Sequence, residues 1–333
     1  MKNDHNEKKF QPAWWLPGGH TQTLWRKFTV KDAVLQGRER LELADGDFID
    51  IDWCEEFSGK DQQPEAGSGI VVIIHGLGGC SSSPYVIALQ KCLAGQGKRS
   101  VAMNFRGCSG EPNNLARAYH SGVSEDLNEV FIMLRAAFPN EEFMFVGYSL
   151  GANVLLKWLG EREHDDQITK AVAVSTPFRL DDCSKAMLRG TSRFYGSYFV
   201  NLLRNEFNSK INDFNTRGLD KQCEILASLG DLDRINSLWE FDDLVTAPLH
   251  GFKNADDYYE KCSSAQFLGQ INTDTLLIQS KNDPLIPASA LPSAQSLSPC
   301  VKMELSAKGG HVGFISGNKD NWLEKRIVDH LIA

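Results

Sequence analysis

No stretch of this chain approaches the roughly 18 apolar residues that a membrane-spanning helix needs, so an integral membrane protein is not expected. Basic residues do not predominate: 35 Lys and Arg stand against 43 Asp and Glu, a formal net charge of −8. A nucleic-acid partner would favour a basic stripe, so none is expected. The eight cysteines, at 54, 80, 92, 108, 183, 223, 262 and 300, contain no CxxC pair and follow no disulfide or metal-ligand spacing. Neither a structural metal nor a disulfide framework is expected. The charged start "MKNDHNEKKF" has no apolar stretch behind it. A secretory signal is therefore not read here, and a cytoplasmic protein with reduced thiols is expected. GxGxxG is absent, and "GLGGCS" lacks the lysine of a phosphate-binding loop. Internal repeats and low-complexity tracts are missing as well.

What remains is a chain of 333 residues with 42% hydrophobic residues, long enough to bury a substantial core. "IVVIIHG" (70–76), "SVAMNFRG" (100–107), "EFMFVGYS" (142–149), "AVAVSTP" (171–177), "TLLIQSKND" (275–283) and "VKMEL" (301–305) read as strands, several of them continuously apolar. Between and after them, 84–97, 124–138, 150–161 and 321–332 read as helices, the second with Ser124 as N-cap. This alternation predicts an α/β fold, a mainly parallel sheet with helices on both faces. "LELADGDFIDIDW" (41–53) predicts a hairpin turning at Asp45-Gly46, and 61–69 a loop.

From Pro177 to about Gln270 no buried-strand run appears. That interval is too long for a bare loop, and "SRFYGSYFVNLLRNEF" (192–207) places Phe194, Tyr198 and Leu202 at helical spacing. The expected organisation is a strap at 1–40 without helical or strand period, a core at 41–176 and 271–333, and an inserted helical cap at 177–270. The cap helix is expected to cover the sheet and pocket; a role as an interfacial lid, with peripheral membrane contact, stays open.

"FVGYSLGAN" (145–153) carries the chemistry. Gly147 and Gly151 let a strand turn sharply into a helix, which holds Ser149 out at the carboxyl edge of the sheet. A nucleophilic serine needs a base and an orienting acid, and in turns of this kind they follow in the order Ser, Asp or Glu, His. Asp283 lies just past a buried strand, and His311 in a glycine-rich loop after the last one. Both belong to the edge that bears Ser149. His164, His250 and His330 fall on a solvated helix end, in the cap and on the closing helix, and Asp274 precedes its strand. "HGLGG" (75–79) matches a loop that offers a backbone N–H to an oxyanion, with the residue after the serine giving the other; these are Leu77 and Leu150. Trp14, Trp15 and Trp25 are expected as packing residues, His120 as a hydrogen-bonded structural histidine, and Arg106-Gly107 as part of the rim.

With these residues in hand, the chain resembles the α/β-hydrolase superfamily and, within it, the YheT-like branch, bacterial esterases related to eukaryotic abhydrolase-domain lipases and esterases. The resemblance covers nearly the whole chain. It rests on "PAWWLPGGHTQTLW", "LADGDFIDIDW", "NFRGCSGEPNNLARAYHSG", "FDDLVTAPLHGFKNADDYY" and "NDPLIP". It implies an α/β-hydrolase fold and carboxylic-ester hydrolysis, with Ser149, Asp283 and His311 as nucleophile, acid and base. Relatives often carry proline before the strand of "TDTLLIQSKND" and a second aspartate beside the acid; Asn282 here leaves the three residues in place. A small-molecule or lipid-like ester substrate is expected, with no metal or organic cofactor. Acyl transfer or thioester cleavage by the same residues, and a non-catalytic binding module, remain the alternatives.

Overall fold

Strand and helix alternate along most of the chain, and the parallel sheet that results brings several strand ends to one edge. Residues 9–29, 33–55, 69–317 and 321–333 are described in the computed structural model. The first eight residues of the charged start and, apart from Gly69, the loop read at 61–69 lie outside them.

The strands are β1 (Gln36–Glu42), β2 (Phe48–Cys54), β3 (Ile70–Ile74), β4 (Arg99–Met103), β5 (Phe143–Tyr148), β6 (Ile168–Val174), β7 (Asp274–Ser280) and β8 (Val301–Ser306). They form an eight-stranded sheet in the order β1-β2-β4-β3-β5-β6-β7-β8. β1 and β2 form an antiparallel hairpin, β2 runs antiparallel to β4, and the other pairings are parallel. The hairpin starts at Gln36, before the apolar pattern begins, because Arg38 and Arg40 pair across it with Asp52 and Asp50.

The core helices are α1 (Gly19–Thr29), α2 (Pro84–Ala94), α3 (Ser124–Ala137) and α4 (Leu150–Glu161). Between β6 and β7 lie α5 (Leu180–Ala186), α6 (Arg193–Arg217), α7 (Asp220–Ala227), α8 (Leu238–Phe241), a π turn (Asp242–Thr246), α9 (Ala247–His250) and α10 (Ala255–Cys262). Helix α11 (Trp322–Ile332) follows β8. Ile70, Val72 and Ile74 of β3 pack with α3 and α4 on one face, through Val130, Phe131 and Leu155. Val71 and Ile73 pack with Leu89 of α2 and Leu323 and Ile327 of α11 on the other. Period-2 alternation thus persists in a strand buried on both faces.

Four details differ from the sequence reading. The strap contains α1, whose Gln22 and Arg26 are buried by polar contacts rather than by an apolar stripe. Ser124 is the first residue of α3, not its N-cap; its hydroxyl donates to Glu161 and accepts from Lys157. On α6 the buried face is Val200, Leu203, Phe207 and Phe214, while Phe194 and Tyr198 face solvent. The buried side chains of α6 meet Leu226, Leu232, Leu238 and Phe241, so its partners within this helical layer select the face. Trp14 is 89% exposed and cannot be a packing residue; Trp15 and Trp25 do meet, ring centroids 4.8 Å apart.

Candidate active site

β5 ends at Tyr148 and α4 begins at Leu150, so Ser149 alone makes the turn. It does so at φ 52° and ψ −119°, a conformation that non-glycine residues rarely occupy and that costs on the order of 1–3 kcal/mol. The surroundings hold it there. Its N–H donates to Val174 O at 2.8 Å, and its carbonyl accepts from Ala152 and Asn153. The flanking glycines answer a steric demand. A Cβ at position 147 would lie 2.6 Å from Ala152 Cα, and one at 151 would lie 2.6 Å from the Ile74 carbonyl oxygen.

Because β3, β5, β6, β7 and β8 run parallel, their carboxyl ends share an edge. Asp283 follows β7 there, and His311 follows β8. His311 Nε2 lies 2.8 Å from Ser149 Oγ, and Nδ1 lies 2.8 Å from Asp283 Oδ2. The Asp283 side chain is fully buried and that of His311 is 11% exposed. The other oxygen of Asp283 accepts from the N–H groups of Leu285 and Ile286, at 2.8 and 3.2 Å. These bonds fix the carboxylate and leave Oδ2 facing the imidazole.

The loop bearing His311 is held from outside itself. The N–H of Gly310 donates to Asn282 Oδ1 at 3.1 Å, that of His311 to Thr23 Oγ1 at 2.8 Å, and that of Val312 to Ser175 Oγ at 3.0 Å. Three consecutive N–H groups therefore meet side-chain oxygens from three separate parts of the chain. Gln22 adds two more bonds: its amide donates to Ile315 O at 3.0 Å and its oxygen accepts from Ile315 N at 2.7 Å. Arg26 pairs with Glu324 and donates to Gly313 O. Among the described residues, the non-glycine positions with left-handed φ are Ser149, Ser175, Val312 and Phe314. All four lie in this site or its support, the pattern expected where surrounding contacts overrule local preference.

The HG loop abuts the serine: a Cβ on Gly76 would sit 3.1 Å from Ser149 Cβ. The N–H groups of Gly76, Gly78 and Gly79 are taken by Tyr85 OH, Tyr119 OH and Gly76 O. Among the described hydrogen bonds, the N–H groups of Leu77 and Leu150 have no partner, and Leu150 opens α4 where helix N–H groups lack intrahelical acceptors. His75 anchors the loop from below. Its Nδ1–H donates to Gly76 O at 2.7 Å and its Nε2 accepts from Phe105 N–H at 3.1 Å. Burial pushes its pKa down to about 4, so it is neutral at pH 7.

A cavity of about 790 Å³, open mouth included, lies over Ser149 and His311. Leu77 and Leu150 line it, with Leu203, Phe241 and Leu285 supplying apolar wall and Asp242, Tyr259 and His120 polar wall. Arg106 is not at this rim. It is buried in ion pairs with Asp45, Asp47 and Asp126 and borders a second cavity. Thr23, Gln22 and Ser175 escape sequence reasoning, since a hydroxyl or amide that supports a distant loop carries no local pattern. The motif "HGLGG" does point to His75.

Among the described residues no group of three or more His, Cys, Asp or Glu is placed to hold a metal ion, and none of the eight cysteines forms a disulfide. No helix among them is long and apolar enough to cross a membrane.

Comparison with known proteins identifies the family. The family model described as the alpha/beta hydrolase fold matches residues 69–318. The chain is 40% identical over 327 residues to the Escherichia coli protein named "Putative esterase YheT", covering 97% of this chain and 93% of that one. It is 26% identical over 313 residues to human phospholipase ABHD3, covering 92% and 74%. Among solved structures, the Pyrococcus furiosus esterase Pf2001 superposes with a TM-score of 0.55 at 15% identity, covering 90% of this chain and 92% of that one, a likeness of fold. The chain is thus an α/β hydrolase with esterase- and lipase-like relatives, and it belongs to the YheT-like branch of the α/β-hydrolase family.

Proposed function

We propose that this protein is a serine hydrolase that cleaves carboxylic esters, short- to medium-chain or lipid-like, through an acyl-enzyme. The observation that carries the reading is the unbroken series from Asp283 through His311 to Ser149, with each link at 2.8 Å. In this reading Asp283 accepts from His311 Nδ1–H, which leaves Nε2 as the base. His311 takes the Ser149 proton as Oγ attacks the ester carbonyl. The N–H groups of Leu77 and Leu150 receive the oxyanion, each such donor contributing roughly 3–4 kcal/mol in well-studied cases. The imidazolium gives its proton to the departing alcohol oxygen as the C–O bond breaks. Water then gives a proton to His311, its oxygen attacks the acyl carbon, and Ser149 leaves with the proton restored.

A cytoplasmic location is part of the same proposal, since eight cysteines in no disulfide or metal-ligand spacing suit a reducing compartment. The test is hydrolysis of p-nitrophenyl esters from C2 to C16 by the wild type and Ser149→Ala. The reading expects turnover by the wild type and a loss of about a thousandfold or more in the variant. Equal, slow rates for both proteins on every ester would overturn it. Product analysis with added alcohol separates hydrolysis from acyl transfer.

A further inference from the structure

The cavity over Ser149 is not uniformly apolar. Asp242 lines it, at the first position of the π turn. Its Oδ2 accepts from Tyr259 OH at 2.7 Å and its Oδ1 from Thr246 OH at 2.7 Å. The π turn brings Asp242 and Thr246 together, and such turns recur at functional sites. No cationic side chain pairs with this carboxylate among the described residues. Two hydroxyl donors leave about half of a carboxylate's lone-pair sites unfilled. Burial pushes its pKa up to about 6, so near pH 7 it is mostly ionised despite lying in the cavity. Packing an alkyl chain against such a group would leave it desolvated and unpaired.

His120 lines the same cavity and is 6% exposed. Its Nδ1 accepts from Gly122 N–H at 3.1 Å, which puts the proton on Nε2. That Nε2–H has no described partner. Tyr258 joins the two groups: its ring lies 5.6 Å from that of His120 and 5.3 Å from that of Tyr259. The wall therefore offers an unfilled acceptor on Asp242 and an unfilled donor on His120.

We infer that this wall is a recognition site for a hydrogen-bond-donating group on the substrate, a hydroxyl or a protonated amine, received by Asp242. The substrate class is then a hydroxy- or amino-bearing ester rather than a plain alkyl ester. A hydroxyl can donate to Asp242 or accept from His120. An ammonium fits Asp242 alone. This inference rests on the serine-hydrolase reading, because it names what that reaction would act on.

The experiment uses alkyl fluorophosphonates in C4, C6 and C8 series, each ending in methyl, hydroxyl or ammonium. Attack of Ser149 Oγ on phosphorus expels fluoride, and mass spectrometry follows the adduct. The wild type, Asp242→Asn and Asp242→Leu are compared. The wild type is expected to react at least fivefold faster with a hydroxyl- or ammonium-ended probe than with the methyl-ended probe of that length. Asp242→Asn should lose preference for ammonium more than for hydroxyl, and Asp242→Leu should prefer methyl. Thermal unfolding of both variants controls for folding; if one does not fold, the wild-type ratio decides. A wild type at least as fast with methyl at every length overturns the inference, as does a preference that survives in Asp242→Leu. Labelling by no probe overturns the hydrolase reading and this inference with it; labelling without discrimination overturns the inference alone.

Discussion

The backbone N–H of His311 donates to the hydroxyl of Thr23 across 288 residues of chain, at 2.8 Å. The same hydroxyl donates to Gly19 O at 2.8 Å, so its oxygen is aimed at the histidine loop. Thr23→Val keeps the shape and removes the acceptor. A buried N–H left unpaired costs about 1–3 kcal/mol, and a small shift of the loop would relieve it while misplacing the imidazole. The expected outcome on the best p-nitrophenyl ester is a fall in kcat of about tenfold, with KM within about twofold. Thr23→Ser should restore the rate. An unchanged kcat in Thr23→Val would make the contact one of packing only.

Asp283→Asn should be more severe. The amide oxygen can still accept from Leu285 and Ile286, but the NH2 group then faces His311 Nδ1. The imidazole must present a lone pair there, which moves its proton to Nε2 and removes the proposed base. A fall in kcat of about 10³- to 10⁴-fold is expected, by analogy with the same change in chymotrypsin-type enzymes. Unchanged thermal unfolding would show that the loss is chemical.

Gly147→Ala tests the turn itself. The added carbon would sit 2.6 Å from Ala152 Cα and 2.8 Å from Ala152 N, backbone atoms that cannot move without shifting the start of α4. A destabilisation of about 1–3 kcal/mol is expected from overpacking, read as a lower urea midpoint. Labelling of Ser149 by a fluorophosphonate should slow in parallel, since the shift displaces both Oγ and the Leu150 N–H.

His75 makes stability depend on pH. Its pKa is pushed down to about 4 in the folded protein from an ordinary 6.5. The unfolded chain therefore binds a proton first as pH falls, and the group's contribution is present above 6.5 and lost progressively down to 4. Between pH 7 and pH 5 this amounts to roughly 2 kcal/mol. Burial depresses His120 and His250 in the same sense, whereas Asp242, raised to about 6, opposes them between its unfolded value of 3.8 and pH 6. Asn places its amide nitrogen where Nδ1 stands, so it can still donate to Gly76 O without titrating. In His75→Asn the loss of stability from pH 7 to pH 5, measured by urea unfolding, should shrink by roughly that amount; an undiminished loss would rule out His75 as its source.

Legibility in the sequence followed the source of each element's stability. β3 and β5 are nearly continuous apolar runs and β7 is centred on one, with glycine, serine or Asn-Asp following, so the positions of Ser149 and Asp283 past strand ends are read directly. His311 stood out through its flanking glycines and its place after β8. The first half of β1 was not legible because Arg38 and Arg40 hold it through aspartates on β2. α1 was not legible because Gln22 and Arg26 meet polar atoms from the far end of the chain. On α6 two apolar stripes compete, and only Leu226, Leu238 and Phe241, which fold against it, decide between them. Thr23, Ser175 and Asn282 contribute one oxygen each to a single loop, a relationship that exists only in three dimensions.

The embrace of residues 309–315 by residues 13–26 bears on how the protein is made. Ala13, Gln22 and Arg26 all bond to residues that a ribosome adds after the last strand. A nascent chain made as far as Asp283 already holds Ser149, yet the carbonyls of Gly313 and Ile315 that Ala13, Gln22 and Arg26 bond are still to be added. The support of the His311 loop should accordingly be completed late, when the earlier segment closes on the newly synthesised one.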